Sequence, residues 1–173
     1  MGYRFDTIAT HAGRAAQEAG SPVTPALSLS TTFLQGAPGQ ADEHAYARVS
    51  NPTRGALEQT LAALEGGVSA LAFSSGCAAM HAVLHLLRPG DHLVACADIY
   101  GGTYRLVEQL VAPLGVEVSW VDMADTAAVE SVTSNATKML WIETPTNPLL
   151  RVFDLAALSE LARARGALSV VDN

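Results

Sequence analysis

From residue 51 onward, the chain alternates between short apolar runs and segments whose apolar residues recur every three or four positions. The apolar runs predict strands at residues 69–73, 92–96, 116–121, 138–143 and 167–172. Helices are predicted near residues 9–18, from 53 to 65, over 76–88, around 106–114, near 126–132 and over 155–165. Wholly apolar strands that alternate with helices are typical of a mostly parallel sheet with helices on both faces, so we expect an α/β fold.

Single residues mark the ends of several predicted helices. Thr53 is the expected N-cap of the helix that stops at the glycines of positions 66 and 67. Asp154 is the expected N-cap of the helix over 155–165, which Gly166 closes. Gly115 is the expected stop of the helix around 106–114. These assignments divide the chain into regular alternating units after residue 51.

Residues 1–50 differ from the rest, because glycine, proline, serine, threonine and alanine dominate positions 19–40. Such a segment is typical of an arm that lies either on its own domain or on a neighbouring subunit. We therefore divide the chain into an arm, 1–50, and a sheet domain, 51–173. The chain stops at Asn173, at the tip of a strand expected to be buried and central, with no helix after it. This ending predicts an incomplete domain, part of a longer polypeptide.

The composition narrows the class of protein. The 173 residues are 49% hydrophobic and carry a formal net charge of -7 without a basic cluster, so neither nucleic acid nor an anionic membrane is an expected partner. No apolar run approaches the length of a spanning helix, and the N-terminus lacks the apolar region of a signal peptide. Cys77 and Cys96 are too far apart for a CxxC pair. We therefore expect a cytoplasmic protein.

Ligands bind open parallel sheets at the carboxyl ends of the strands, so the residues after each predicted strand are the candidate site. Ser75, Gly76 and Cys77 begin a helix at such a point. The amide groups and the dipole at the start of a helix suit a phosphate or another anion. The alternative is that Ser74 or Ser75 only caps a buried helix.

Three more strand ends carry aromatic or polar side chains. Tyr100 stands beside two glycines, which suit either the approach of a flat ligand or an ordinary turn. Glu143 and Asn147 belong to a stiff loop with two prolines, a pattern that favours a binding site. Asp172 ends an apolar strand, where a carboxylate needs either a cation or a capping role.

Other candidates lie elsewhere in the chain. Tyr46 and Arg48 place a phenol and a guanidinium before a helix, where the guanidinium either binds phosphate oxygens or is solvated. His81 and His85 share one helix face, but the sequence offers no third ligand, so we expect no metal site. The absence of GxGxxG and GxxxxGK[ST] motifs speaks against dinucleotides and nucleoside triphosphates.

Taken together, these motifs resemble the large family of pyridoxal-phosphate enzymes of cysteine and methionine metabolism, which includes the cystathionine synthases and lyases. The resemblance is carried by THAG at 10–13, STTF at 30–33, YAR at 46–48 with NPTR at 51–54, SGCAA at 75–79, DIYGGT at 98–103, ETPTNP at 143–148 and VVDN at 170–173. It implies the large domain of a fold-type I enzyme, with pyridoxal 5'-phosphate as cofactor and an extended N-terminal arm before the domain.

The resemblance also assigns roles at both ends of the cofactor. It implies that Ser75 and the amides of Gly76 and Cys77 hold the phosphate. Tyr46 and Arg48 would reach the same phosphate from a neighbouring subunit, which implies a homo-oligomer, a dimer of dimers that exchanges arms.

Around the cofactor ring, the resemblance implies that Tyr100 stacks on the pyridine and acts as a catalytic group in proton transfer. Asn147 would bond near the phenolic oxygen, with Glu143 shaping that wall. Asp172 would pair with the ring nitrogen and keep it protonated, so that the ring accepts the electrons of a substrate carbanion.

The sequence departs from the family pattern at a few positions. Ala47 replaces a frequent serine, and Cys77 replaces a frequent methionine or leucine. Gly102 stands where methionine lyases carry a cysteine, which argues against that activity. The family's Schiff-base lysine follows the aspartate by a couple of dozen residues and is not in this sequence, whose only lysine, Lys138, opens a strand at the far end. The carboxylate-binding arginine of the family's C-terminal domain is also missing.

The expected function is therefore that of a trans-sulfuration enzyme acting on cystathionine or homoserine-ester amino acids, by elimination or replacement at the γ carbon. A sulfhydrylase that uses acetylated or succinylated homoserine is an alternative within the family. A non-catalytic fragment that binds phosphate or a partner chain is an alternative of another class. The chain alone is expected to be inactive.

Overall fold

The computed structural model describes residues 3–14, 18–40 and 42–173. The chain forms two compact units, Met1–Phe73 and Ser74–Asn173. The arm boundary expected at residue 50 stays a prediction. Within the described residues, no helix has the length and apolar character that crossing a bilayer requires.

The second unit is built on a four-stranded parallel sheet. Its strands are β1 (His92–Cys96), β2 (Glu117–Val121), β3 (Thr137–Glu143) and β4 (Leu168–Asp172), in the spatial order β2-β1-β3-β4. Every residue of β1 is buried, as expected for an apolar strand with a neighbour on each side. The predicted parallel sheet is thereby confirmed.

Helices cover both faces of this sheet. They are α3 (Gly76–Leu84), α4 (Gly101–Leu106), α5 (Thr126–Val132) and α6 (Leu155–Ala164), and α4 continues through a π-helical turn (Val107–Val111) and a 3₁₀ turn (Ala112–Leu114). One face packs Met80, Leu84, Leu93, Val107 and Trp141 into a core with α3 and α4. The other face packs Val94, Leu140, Ile142, Val129 and Leu158 into a second core with α5 and α6. The expected α/β fold with helices on both faces is present.

The described residues of the first unit contain two helices, α1 (Phe5–His11) and α2 (Pro52–Glu65). The helix predicted near 9–18 therefore begins and ends earlier, and residues 15–17 lie outside the described part of the chain. Thr53 is not the N-cap of α2. Asn51 caps it, because its side-chain oxygen accepts the amides of Thr53 and Arg54 at 2.9 and 3.4 Å, whereas the Thr53 hydroxyl accepts the amide of Ser28.

One strand prediction was wrong, and one confirmed strand lies elsewhere in the sheet than expected. Residues 69–73 do not form a strand, because no described strand pairs with them and the Glu58 carboxylate takes the amide of Ala72 at 2.9 Å. β4 is not a buried central strand, because within the described residues it pairs only with β3, so Leu168 and Val171 are exposed. The predicted helix over 76–88 also ends early, at Leu84, where three-residue turns begin before Pro89.

Candidate functional site

A pocket lies in the second unit at the carboxyl ends of β3 and β4, beside the start of α3. Its cavity volume is about 490 Å³, within the range of sites that take small ligands. Its lining includes seven residues predicted from the sequence: Ser75, Gly76, Cys77, Tyr100, Glu143, Asn147 and Asp172. The remaining lining residues are Met80, Pro145 and Asn173. The structure thus brings together predicted residues as far apart in the chain as Ser75 and Asp172.

At one wall of the pocket, the start of α3 presents backbone amides. The Ser75 hydroxyl accepts the amide of Ala78 at 3.2 Å, so Ser75 is the N-cap, as one of the two sequence interpretations held. In the described part of the chain, the amides of Gly76 and Cys77 donate no hydrogen bond. Two free amides at the positive end of a nine-residue helix suit an anionic group.

Glu143 connects the loops that follow β1 and β3. Its side chain is only 5% exposed, and its carboxylate accepts the amide of Tyr100 at 2.9 and 3.1 Å and the amide of Asn147 at 2.7 Å. Burial raises the pKa of Glu143 above its usual value, the two amides oppose this rise, and the nearby charges of Asp172 and Asp98 add to it. Both carboxylate oxygens are occupied by backbone donors, so Glu143 holds two pocket residues in place.

Asp172 lies beside Glu143, because the two residues face each other in the β3–β4 register. Burial raises the pKa of the Asp172 carboxyl above its usual value. Among the described residues, no lysine, arginine or histidine forms a salt bridge with it. A desolvated carboxylate without a cation favours a ligand that carries a positive charge.

A second set of contacts fixes the loop after β3, and the sequence did not reveal it. The Thr146 hydroxyl donates to the Asp98 carboxylate and accepts the amide of Arg151 at 2.9 Å. The Arg151 guanidinium binds Asp122 at 2.8 Å, which raises the pKa of the guanidinium and lowers that of the Asp122 carboxyl. The one sequence signal for these contacts was the position of the two aspartates: Asp122 directly follows β2, and Asp98 is the second residue after β1.

The first unit holds the two predicted residues that are not in this pocket. The Arg48 guanidinium donates to the Tyr46 hydroxyl at 2.8 Å, and its central carbon lies 4.3 Å from the Tyr46 ring centroid. Tyr46 is held by an antiparallel bridge to Thr32. The pair presents a phenol and a guanidinium as one group.

The remaining candidates lie outside the pocket lining. The rings of His81 and His85 pack edge to face with centroids 4.5 Å apart, and within the described residues no group of three or more His, Cys, Asp or Glu side chains could hold a metal. The Lys138 amine donates to the Asn135 carbonyl at 3.3 Å. Lys138 and Glu143 are five residues apart on β3, which corresponds to roughly 17 Å.

A parallel sheet covered by helices, with free amides at a helix start and, among the described residues, a carboxylate without a cation in the same pocket, places this chain in the class of fold-type I pyridoxal-phosphate-dependent enzymes. Within that class, the chain belongs to the Cys/Met metabolism PLP-dependent enzyme family, whose model matches residues 6–173.

The similar proteins include cystathionine lyases. The chain is 43% identical over 171 residues to cystathionine gamma-lyase of Macaca fascicularis. The matched region covers 98% of the chain and 42% of the relative. The chain is 41% identical over 167 residues to cystathionine beta-lyase of Lactococcus lactis subsp. cremoris, covering 96% and 44%. The crystal structure of cystathionine gamma-lyase from Lactobacillus plantarum with L-serine matches with a TM-score of 0.92 and 39% identity, over 99% of the chain and 45% of that structure. The chain therefore spans less than half the length of these relatives.

The pocket fits the family's cofactor. Pyridoxal phosphate carries a phosphate at one end and a basic ring nitrogen at the other. The free amides of Gly76 and Cys77 match the first group, and the unpaired carboxylate of Asp172 matches the second. Gly76, Cys77 and Asp172 line the same cavity, so the residues present suit both ends of the cofactor.

Proposed function

We propose that this chain forms the cofactor-binding part of a pyridoxal-phosphate-dependent trans-sulfuration enzyme. The substrate class is cystathionine or a homoserine ester, and the reaction is elimination or replacement at the γ carbon. One observation carries the proposal: a single pocket joins the start of α3 to Tyr100 and Asp172. The names of the relatives, cystathionine gamma-lyase and beta-lyase, support the substrate class.

Each pocket residue has a proposed task in holding the cofactor. The amides of Gly76 and Cys77 bind the phosphate, with Ser75 fixing the helix start. Asp172 holds the proton on the ring nitrogen, and a cation there offsets the cost of its burial. Asn147 donates its side-chain amide near the phenolic oxygen. When bound, pyridoxal phosphate supplies an electron-accepting ring that stabilises negative charge on the substrate carbon.

Tyr100 and Glu143 complete the proposed site. The Tyr100 ring is 41% exposed and lines the pocket, where it stacks on the cofactor and its hydroxyl moves a proton. Glu143 acts through the backbone of Tyr100 and Asn147, so its role is positioning rather than contact with the cofactor.

We propose that the first unit contacts a neighbouring subunit in a homo-oligomer, where Tyr46 and Arg48 reach the neighbour's phosphate. Large apolar side chains of this unit support an interface, since Leu29 is 92% and Leu34 100% exposed. The cytoplasm as compartment is part of the same proposal, and the free thiols of Cys77 and Cys96 fit a reducing environment.

Spectroscopic titration tests the cofactor part of the proposal. Pyridoxal phosphate added to the protein should give saturable binding that inorganic phosphate weakens, and thiol release from cystathionine is measured in the same samples. Borohydride reduction followed by dialysis separates two cases. Retained cofactor requires a primary amine, which this chain offers at Lys138 and at its N-terminus, and Lys138→Arg tells whether the lysine provides it. Absence of saturable binding would refute the cofactor proposal.

The same assay distinguishes the alternative of a non-catalytic chain. Reversible binding that borohydride does not make permanent, together with no thiol release, would mean that this chain holds the cofactor without the covalent link. We expect this result for residues 1–173 alone, because Lys138 lies at the other end of β3.

A further inference from the structure

The ring of Tyr100 occupies the space that a side chain at position 102 would need. A Cβ atom added at Gly102 would lie 2.3 Å from Cε1 of Tyr100 and 3.0 Å from Cδ1 and Cζ. Carbon atoms in contact are normally about 3.5–4.0 Å apart. The ring would therefore have to move by roughly 1 Å or more to make room.

Backbone conformation does not explain why position 102 is glycine. The φ angle of Gly102 is outside the left-handed region that favours glycine, and Gly102 lies inside α4. In the interior of a helix, glycine is less favourable than alanine. The close approach of the Tyr100 ring is the contact that excludes a side chain here.

The main chain of Tyr100 is held at both of its polar groups. Its amide donates to both oxygens of Glu143, and its carbonyl accepts the amide of Tyr104 at 3.1 Å. A clash at position 102 is therefore relieved by turning the Tyr100 side chain, and the backbone can stay in place. The residue at 102 controls the ring, and Glu143 controls the backbone.

We propose that Gly102 is a positioning residue for Tyr100. Its missing side chain lets the aromatic ring lie against the start of α4 while the ring's other side faces the pocket. Residue 102 thereby sets the free space on the Tyr100 side of the pocket. The consequence for cofactor binding rests on the proposed function, whereas the position of the ring does not.

The first test measures the ring without cofactor. Tyrosine labelled with ¹³C in the ring gives separate NMR signals, and Tyr100→Phe identifies that of Tyr100. Gly102→Ala should shift the Tyr100 signal and leave that of Tyr104 in place. Gly101→Ala is the matched control, because the one contact that its Cβ would make with a residue not adjacent in the chain is with the exposed Arg105 guanidinium, at 3.4 Å. An unchanged Tyr100 signal in Gly102→Ala would overturn the proposal.

The second test is a double-mutant cycle on pyridoxal-phosphate affinity. Gly102→Ala should weaken binding about 3- to 10-fold when Tyr100 is present, which corresponds to loss of an aromatic contact. The same change in a Tyr100→Ala background should have no effect, because no ring remains to be displaced. Equal losses in both backgrounds would mean that Gly102 acts independently of Tyr100 and would overturn the proposal.

Folding itself provides a third outcome. If Gly102→Ala does not fold, the Tyr100→Ala/Gly102→Ala variant should fold, since the clash is gone; failure of both variants would refute the inference. If the parent protein binds no pyridoxal phosphate, the proposed function fails, and the NMR comparison still decides the role of Gly102.

Discussion

At the scale of single residues, the pocket contains two adjacent carboxyl groups with opposite relations to their surroundings. Glu143 has three hydrogen bonds from backbone amides, whereas Asp172 has no cationic partner among the described residues. Burial is the main cause of the raised pKa in both. Glu143 is thus satisfied within the protein, whereas Asp172 has no cation to offset the cost of its burial in the described part of the chain.

The first prediction concerns Asp172→Asn in the cofactor-free protein. The folded-state pKa of Asp172 is above its ordinary value of 3.8, so the folded protein is more stable with this carboxyl protonated. The free energy of unfolding therefore falls as pH rises from 3.8 through the raised pKa and the carboxyl ionises. The variant should therefore melt at a higher temperature than the parent at pH 7, with the difference vanishing below about pH 4. Thermal unfolding at several pH values measures this difference. Equal melting temperatures throughout would show that the charge is not desolvated.

The same substitution should act in the opposite direction on the cofactor. Asparagine cannot hold the proton on the ring nitrogen, so affinity for pyridoxal phosphate should fall by about tenfold or more, as for the loss of a charge-assisted hydrogen bond. Asp125→Asn, which changes an exposed helix cap, is the matched control. Unchanged affinity in Asp172→Asn would contradict the assigned role of Asp172.

The second prediction concerns Glu143→Ala. Loss of the carboxylate leaves the amides of Tyr100 and Asn147 without their acceptor, which should lower the free energy of unfolding by about 1–3 kcal/mol. Hydrogen exchange at these two amides should accelerate most. Glu160→Ala, on the exposed side of α6, should change neither quantity. Exchange that stays slow at both amides would argue against the positioning role.

The sequence revealed the site residues better than their contacts. Ser75, Tyr100 and Asp172 stood out because each follows a predicted apolar strand, and the structure places them in one pocket. The bonds from Glu143 to the Tyr100 amide join positions 43 apart, and no local pattern encodes such a contact. The lack of space for a side chain at position 102, next to the Tyr100 ring, was equally hidden in the sequence, because a glycine in a turn motif has several explanations.

At the scale of helices and strands, a buried histidine joins three strands at the end of the sheet opposite the pocket. His92 of β1 bonds the Thr137 hydroxyl of β3 at 2.8 Å and the Ser119 hydroxyl of β2 at 3.0 Å. Burial lowers the pKa of His92 below 6.5, and the charge of Glu117 opposes this. The neutral imidazole is therefore the form that suits the fold.

The third prediction follows from this pKa. Because the folded-state pKa is lowered, the contribution of neutral His92 is complete above about pH 6.5 and is lost as pH falls through the lowered value. His92→Asn should remove the part of the acid-induced destabilisation that begins below pH 6.5. His85→Asn, at an exposed position, should keep it. Denaturant unfolding between pH 5 and 7 distinguishes the two, and parallel curves for His92→Asn and the parent would contradict the assignment.

The fourth prediction concerns the contact between the end of α1 and α2 in the first unit. Gly13 has φ of +71°, and a Cβ there would lie 2.1 Å from the Ala56 carbonyl oxygen. Gly13→Ala should therefore destabilise this unit by about 1–3 kcal/mol or more. Gly55→Ala, within α2 and in open space, should instead stabilise it by roughly 0.5–1 kcal/mol. Site-resolved hydrogen exchange on α2 measures both, and equal effects would argue against the close approach.

Strand and helix positions were predictable where the pattern was local. β1 and the helix Thr126–Val132 match the predicted ranges, because a run of apolar residues or a cap marks both ends. The strand expected at 69–73 failed because a strand also needs a neighbour, and apolar character alone does not provide one. Asn51 rather than Thr53 caps α2. Either residue is a suitable cap, but proline is favoured at the first position of a helix, so Pro52 was the sequence signal for Asn51.

At the scale of the whole molecule, the fold class follows from the repeated alternation of strand and helix, whereas assembly does not. The first unit exposes large apolar residues, and the alternation of strands and helices that predicts the second unit does not predict what covers them. They include Val23, Leu27, Leu29 and Leu34. No periodic pattern distinguishes a segment that covers its own domain from one that covers a neighbour. The proposed oligomer therefore needs a direct measurement.

The fifth prediction addresses assembly. Leu29→Ser with Leu34→Ser should shift the protein toward smaller species in analytical ultracentrifugation, because the proposed interface loses two exposed apolar groups. Leu86→Ser, a 60% exposed leucine of the second unit, is the matched control and should leave the sedimentation unchanged. Identical sedimentation of all three proteins would refute the proposed role of the first unit.

The Glu143 carboxylate holds the two loops through the backbone amides of residues 100 and 147, so the loop conformation does not depend on the side chains at these positions. Any amino acid except proline offers the same N–H group at positions 100 and 147. Exchanges at these two positions would change the side chains that line the pocket and would leave the backbone anchored to Glu143. The contribution of each side chain to cofactor binding can therefore be measured apart from the stability of the loops.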